Sequence, residues 1–305
     1  LIIAYKNNAA TRREQGEACA HAKAIGASGR ARLHRGMTTL FRKLVLAAAL
    51  AGLAAQAQAG ASGWVKGAKS AVRLVSAGGL AAGAYRSGLE IRLAPATLTY
   101  WRTPGDAGAP PVFDFAASDN LASAEPVFPA PRRIPEAGGE AFGYDFDVVL
   151  PIRVRPKDAA RPVRLRLKLD YAACEKICIP EQAALDIDLD PAAAASPEAA
   201  LIAGFEARAP KGWGGEPPHL APVAGAAKPT WRVGRPFAPP ADGDLFAEGP
   251  EGSFLDTKRD GDGFLVTLAQ PPLDSKAPLD IRLTRVAPDG AHDVALRLDA
   301  APTKP

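Results

Sequence analysis

Short runs of alternating apolar and polar residues recur along most of this chain. Val72-Arg-Leu74-Val-Ser and Leu89-Glu-Ile91-Arg-Leu93 carry the two-residue period of a strand with one buried face. Leu98-Thr-Tyr100-Trp101-Arg is dense in aromatic and β-prone residues, and the stretch from Phe142 to Val154 holds one or two further strands. Val163-Arg-Leu165-Arg-Leu167-Lys-Leu169-Asp alternates without a break, and Leu185-Asp-Ile187-Asp-Leu189-Asp repeats the pattern. Clusters of Pro, Gly and Asp, such as Thr103 to Pro111, separate these runs. Several short strands with frequent turns predict an all-β fold, a β-sandwich over residues 60–190, with a barrel as the alternative.

Residues 191–210 break the pattern. Ser196 can cap a helix with Pro197 at its first position, Pro210 ends it, and Leu201, Ile202 and Phe205 give it an apolar stripe. This predicts a short helical linker. Beyond it, residues 211–305 return to strand-like runs at Thr230 to Val233, Phe254 to Thr257, Gly263 to Leu268, Leu279 to Leu283 and Val294 to Leu298. They predict a second, smaller β domain without cysteines.

The amino-terminal region changes the charge argument. Met37, the one methionine, opens a charged segment with Arg42 and Lys43, then the apolar run Leu44 to Ala55 and the small-residue stretch Ala55-Gln-Ala57-Gln-Ala59. That order is a cleavable signal peptide over 37–59. Its apolar run falls short of the roughly 20 residues that span a bilayer. Residues 1–36 then read as an upstream extension outside the natural protein. Residues 1–59 carry nine Lys/Arg against two Asp/Glu, so the chain's +4 becomes −3 once they are removed. A nucleic-acid partner loses its electrostatic footprint. No later apolar run approaches ~18 residues, so no membrane anchor is expected. With a signal peptide and an Ala-, Gly- and Pro-rich, Arg-dominated composition, the expected place is a bacterial periplasm or outside the cell, where disulfides persist.

The chemistry concentrates in Tyr171-Ala-Ala-Cys174-Glu-Lys-Ile-Cys178-Ile-Pro180. Of three cysteines, Cys19 precedes the signal, so the mature chain is left with this pair, and the pair argues for a disulfide. A disulfide needs Cα atoms within about 7 Å. Residues four apart on a straight strand lie about 13 Å apart at a rise of roughly 3.3 Å, so the chain must turn between them. A ring this small gains little loop-closure entropy and is a poor staple, while a small exposed ring suits exchange. Lys176 favours a thiolate and Glu175 opposes it. Three readings stay open: a redox-active dithiol, a structural disulfide, and a Cu(I) site on two soft thiolates. Zinc wants four ligands, and His219 and His292 sit far off in loop-like segments. Tyr100, Trp101 and Tyr171 are candidates to line the pair, with sandwich core as their alternative. Asp186, Asp188 and Asp190 read as a solvated acidic face. No phosphate loop or Ser-His-Asp pattern is present, and no cofactor is expected.

Four segments together resemble the N-terminal periplasmic domain of the DsbD thiol:disulfide interchange family, within it the ScsB-like branch. They are Leu89-Glu-Ile-Arg-Leu-Ala-Pro, Thr99-Tyr-Trp-Arg-Thr-Pro-Gly-Asp-Ala-Gly-Ala-Pro-Pro-Val-Phe-Asp-Phe115, Asp147-Val-Val-Leu-Pro-Ile-Arg-Val, and Leu167-Lys-Leu-Asp-Tyr-Ala-Ala-Cys-Glu-Lys-Ile-Cys-Ile-Pro-Glu181. The resemblance implies an immunoglobulin-like β-sandwich followed, as in that branch, by a second β domain. It implies that Cys178 attacks partner disulfides and Cys174 resolves the mixed disulfide. It implies periplasmic thioredoxin-like or disulfide isomerase proteins as partners, and a role touching cytochrome c biogenesis or copper tolerance. Complete members continue into a transmembrane electron-transfer domain and a thioredoxin-like domain. This sequence carries neither, so a separate membrane electron carrier is the expected donor. A loop that shields the pair in the family corresponds to Arg132 to Gly143. Ile134 and Phe142 are the residues it offers where the family presents an aromatic cap. The reading from a different functional class is a non-enzymatic envelope or copper-handling binding protein.

Overall fold

The computed structural model describes residues 60–106, 108–136, 139–273 and 278–298. The upstream extension and the signal peptide expected over 1–59 lie outside the described residues. The first half is built from β1 (Val65–Lys66), β2 (Ser70–Ser76), β3 (Tyr85–Leu93), β4 (Leu98–Gly105), β5 (Val112–Asp114), β6 (Leu121–Pro126), β7 (Arg132–Glu136), β8 (Gly139–Tyr144), β9 (Val148–Pro156), β10 (Val163–Cys174) and β11 (Cys178–Leu189). One sheet runs β1-β2-β3-β9-β6. The other runs β11-β10-β4-β8-β7, with β5 also paired to β10. Their inner faces share one apolar cluster that includes Leu74, Leu89 and Leu150 from the first sheet and Leu165, Leu167 and Ile187 from the second. Two sheets closed over one core make a sandwich rather than a barrel.

The alternation read in the sequence matches the burial. In β10, Val163, Leu165, Leu167 and Leu169 face inward while Arg164, Lys168 and Asp170 face out. Asp186 and Asp188 lie on the outer face of β11, where Arg164 pairs with them at 2.6 and 3.9 Å. They are a solvated acidic face with a cationic partner.

The helix α1 (Ala199–Glu206) starts later than the sequence suggests. Glu198 is its N-cap, and no side chain caps it. Ser196 instead accepts from the Glu198 N–H at 3.2 Å and donates to the Ser76 carbonyl, tying the segment to β2. Ile202 and Phe205 belong to the first core.

The second half comprises β12 (Lys211–Gly212), β13 (Leu220–Pro222), β14 (Thr230–Val233), β15 (Asp244–Glu248), β16 (Phe254–Asp260), β17 (Gly263–Gln270), β18 (Leu279–Ala287) and β19 (Gly290–Leu298). They form two four-stranded sheets, β12-β19-β18-β15 and β13-β14-β17-β16. Their own core includes Trp231, Val233, Leu245, Phe264, Val266 and Leu283. Phe246 of β15 departs from it and packs in the first core. No helix among the described residues is long and apolar enough to cross a membrane.

Candidate functional site

Strands β10 and β11 form a long hairpin paired from Val163 opposite Leu189 to Cys174 opposite Cys178. The cysteines are thus the last cross-strand pair, and residues 175–177 make the turn that the spacing requires. Their Cα atoms are 4.0 Å apart and the sulfurs are bonded. The twelve-residue ladder already holds this tip in register, so the disulfide adds little to what folding has fixed.

The two sulfurs have unequal surroundings. Cys174 is 1% exposed and belongs to a small apolar cluster with Leu98, Tyr100, Ala141 and Ala172, covered by Ile134. Cys178 is exposed. Ile177 beside it is 77% exposed, an apolar side chain held in water at the tip. The sulfurs open into a cleft of about 670 Å³ whose walls include Thr97, Leu98, Ile134, Glu136 and Lys176.

Tyr100 reaches both sulfurs of the disulfide. Its hydroxyl lies 3.0 Å from the Cys174 Sγ and 3.1 Å from the Cys178 Sγ. A disulfide sulfur carries no proton, so the phenol is the donor. Glu136 Oε2 stands 3.5 Å from the same hydroxyl. Burial, and then the Glu136 charge, push the Tyr100 phenol up to about 12. It therefore stays protonated at neutral pH and can donate to a thiolate when the bond opens. Gly143 faces Tyr100 across the β4–β8 pairing. A Cβ on Gly143 would collide with the Thr99 carbonyl, so only glycine lets β8 close here.

The other expected lining residues point elsewhere. Trp101 follows Tyr100 on the opposite face of β4 and is fully buried in the main core, edge-on to Phe246 at 5.9 Å. Phe142 is paired with Arg133, while Ala141 is paired with Ile134. That register turns Phe142 into the main core, 4.9 Å from Phe246, and leaves Ile134 as the apolar cover. Tyr171 also belongs to the main core. Its hydroxyl donates to Glu181 Oε2 at 2.7 Å and sits 2.6 Å from Ser70 Oγ. Glu181 is buried but satisfied, accepting also from the Lys69 N–H at 2.9 Å, so this network joins the two sheets behind the cysteines. Glu136 was not singled out by the sequence. A lone acid in a Pro-containing run gives no signal of its own.

Glu175, on the cleft wall, is held by a lysine from the other sheet's side. Lys69 Nζ binds it at 2.8 Å and holds its carboxyl below the usual range. Lys176, on the cleft wall, has no ion pair among the described residues. His219 is exposed, and His292 packs on Trp213 at 5.6 Å, both in the second half of the chain. Near the cysteines the further metal-ligand type is Glu136, whose carboxylate and the two sulfurs lie within 4.8 Å of one another.

Residues 69–189 match the family described as thiol:disulfide interchange protein DsbD, N-terminal. Among solved structures, the chain is similar to the N-terminal periplasmic domain of ScsB from Proteus mirabilis. The two share 20% identity and a TM-score of 0.62, over 79% of this chain and 98% of that one. Among curated protein sequences none matches the chain.

Proposed function

We propose, from the premise that residues 69–189 are a DsbD N-terminal-like domain of immunoglobulin-like β fold, that this chain passes electrons to periplasmic proteins through Cys174 and Cys178. In the reduced state the Cys178 thiolate attacks a sulfur of a partner disulfide. The S–S bond of the partner breaks, its other sulfur leaves as a thiolate that takes up a proton, and a mixed disulfide forms. The Cys174 thiolate then attacks Cys178 Sγ. This restores the Cys174–Cys178 disulfide and releases the partner's second sulfur, which takes up the second proton. Two electrons have moved to the partner. Tyr100 donates to whichever sulfur of the pair carries negative charge. A thioredoxin-like or disulfide isomerase protein is the expected acceptor, and a membrane electron carrier the expected source.

The observation that carries this reading is the asymmetry of the pair. An exposed sulfur is joined to a buried one at a hairpin tip that does not need the bond. Exchange needs a reachable sulfur to attack, and a shielded second sulfur is kept for resolving the mixed disulfide. The test is direct transfer. The reduced chain is mixed with an oxidised thioredoxin-fold protein, quenched in acid, and the thiols on each protein are counted. The expected result is one disulfide gained by the chain for each one lost by the acceptor. No transfer to any thioredoxin-fold acceptor counts against the proposal.

A second reading, capture of a soft cation such as Cu(I) by the reduced pair, is favoured by the Glu136 carboxylate beside both sulfurs. The same experiment separates the two. A Cu(I) chelator leaves transfer unchanged if exchange is the function.

A further inference from the structure

Strand β15 of the second β unit lies against the back of the sheet that carries the cysteine site. Three alternate residues of this one strand reach it. Asp244 takes Arg133 of β7, accepting from Nε at 2.9 Å and Nη2 at 3.1 Å. Phe246 inserts between Phe142 of β8 and Trp101 of β4. Glu248 accepts from Nε and Nη2 of Arg102, both at 2.7 Å, and from Thr103 Oγ1 at 3.0 Å. The front of the same strands presents Tyr100, Ile134 and Glu136 to the sulfurs.

Arg133 is the centre of this contact. Besides Asp244, its Nη2 donates to the Leu245 carbonyl at 3.0 Å and to Thr257 Oγ1 at 2.8 Å, and its Nη1 to Glu140. The guanidinium also stands over the rings of Phe142 and Phe246, at 4.9 and 5.4 Å. A forked, stacked arginine of this kind fixes orientation as well as distance. Strand β7 needs such a tie. Among the described residues it is the last strand of its sheet, paired through β8, and an edge strand held on one side opens easily. Arg133 and Ile134 are neighbours on β7, so their side chains point to opposite faces. Fixing the first fixes the second.

We infer that β15 braces the hairpin β7–β8 from behind, and that Arg133 is the positioning residue that sets how closely Ile134 and Glu136 cover the cysteine pair. This rests on the exchange reading for its purpose. The second β unit then helps set how closely the buried Cys174 is covered.

The test uses Arg133→Gln and, separately, the nearly isosteric Asp244→Asn, each in the full chain. The rate at which iodoacetamide alkylates the reduced pair is followed from neutral to alkaline pH, with amide hydrogen exchange on the same samples. Alkylation of the buried Cys174, told from Cys178 by fragment mass spectrometry, is expected to be about tenfold faster in both variants, as when a local opening loses one strong charge-assisted tie. Exchange should speed up in β7 while β2 and β3 keep their protection. The pH midpoint of alkylation should also fall. On β7, the Glu136 carboxylate lies within 4.8 Å of the sulfurs and would move away from them, while Arg132 is exposed and paired with Asp145; Glu175, its partner Lys69, and Lys176 lie on other elements. Arg133→Lys keeps the charge but not the fork and should lie between. Wild-type alkylation with unchanged protection of β7 in both variants overturns the brace. Alkylation needs no partner protein, so a failure of electron transfer does not mask the answer.

Discussion

A Cys174→Ala chain will accumulate covalent complexes with thioredoxin-like partners, and a Cys178→Ala chain will not. In the first variant the exposed Cys178 attacks and nothing resolves the product. In the second the remaining thiol is Cys174, 1% exposed beneath Tyr100, Leu98 and Ala172. Buried thiols in apolar surroundings are inert, so the yields should differ by an order of magnitude or more. The measurement is trapping of an oxidised thioredoxin-fold protein carrying a single active-site cysteine activated as a mixed disulfide, read on non-reducing gels. Equal trapping by the two variants would contradict the assigned roles. Both variants should still fold, losing about 2 kcal/mol, the loop-closure contribution of so small a ring in the unfolded chain.

The second large effect falls on stability. Trp101→Ala should cost about 3–5 kcal/mol, the usual cost of emptying a buried aromatic site. At roughly 2–4 °C per kcal/mol for a protein of this size, thermal unfolding should come about 10 °C earlier. Trp101 is fully buried and edge-on to Phe246, with the Arg102 guanidinium 4.2 Å above its ring. Losing it weakens both the first core and the seat of β15. If Trp101 lined the cysteine pair instead, the variant would alter thiol reactivity and leave the melting temperature within about a degree. Calorimetry alongside alkylation distinguishes the outcomes.

Much of the fold was legible because its strands have one wet face. The runs in β2, β10, β14 and β18 alternate, and a period of two needs no context to be read. The turn between the cysteines was legible from distance alone. Two strands that matter most for the site were not. β7 reads Arg-Arg-Ile-Pro-Glu, with a proline and three charges, as a sheet edge tolerates and a pattern search rejects. β15 reads Asp-Leu-Phe-Ala-Glu, and its three central residues are all buried because one side meets its own core and the other the first unit. Such a strand shows no alternation. The same limit applies to the aromatic candidates. Leu98, Thr99, Tyr100 and Trp101 are all buried, so nothing local says that Tyr100 faces the sulfurs and Trp101 the core. The β7–β8 register decides likewise between Ile134 and Phe142. Both choices depend on pairing with distant strands.

Under the proposed function the Cys174–Cys178 bond is made to be broken and remade. Its midpoint potential in the intact chain, from equilibration with redox buffers of graded ratio, puts this to the test. A working exchange site is expected well above about −300 mV, within reach of thioredoxin-like partners. A value at or below about −300 mV would mark an inert structural disulfide, and the chain would then be a binding module with a local staple at its hairpin tip.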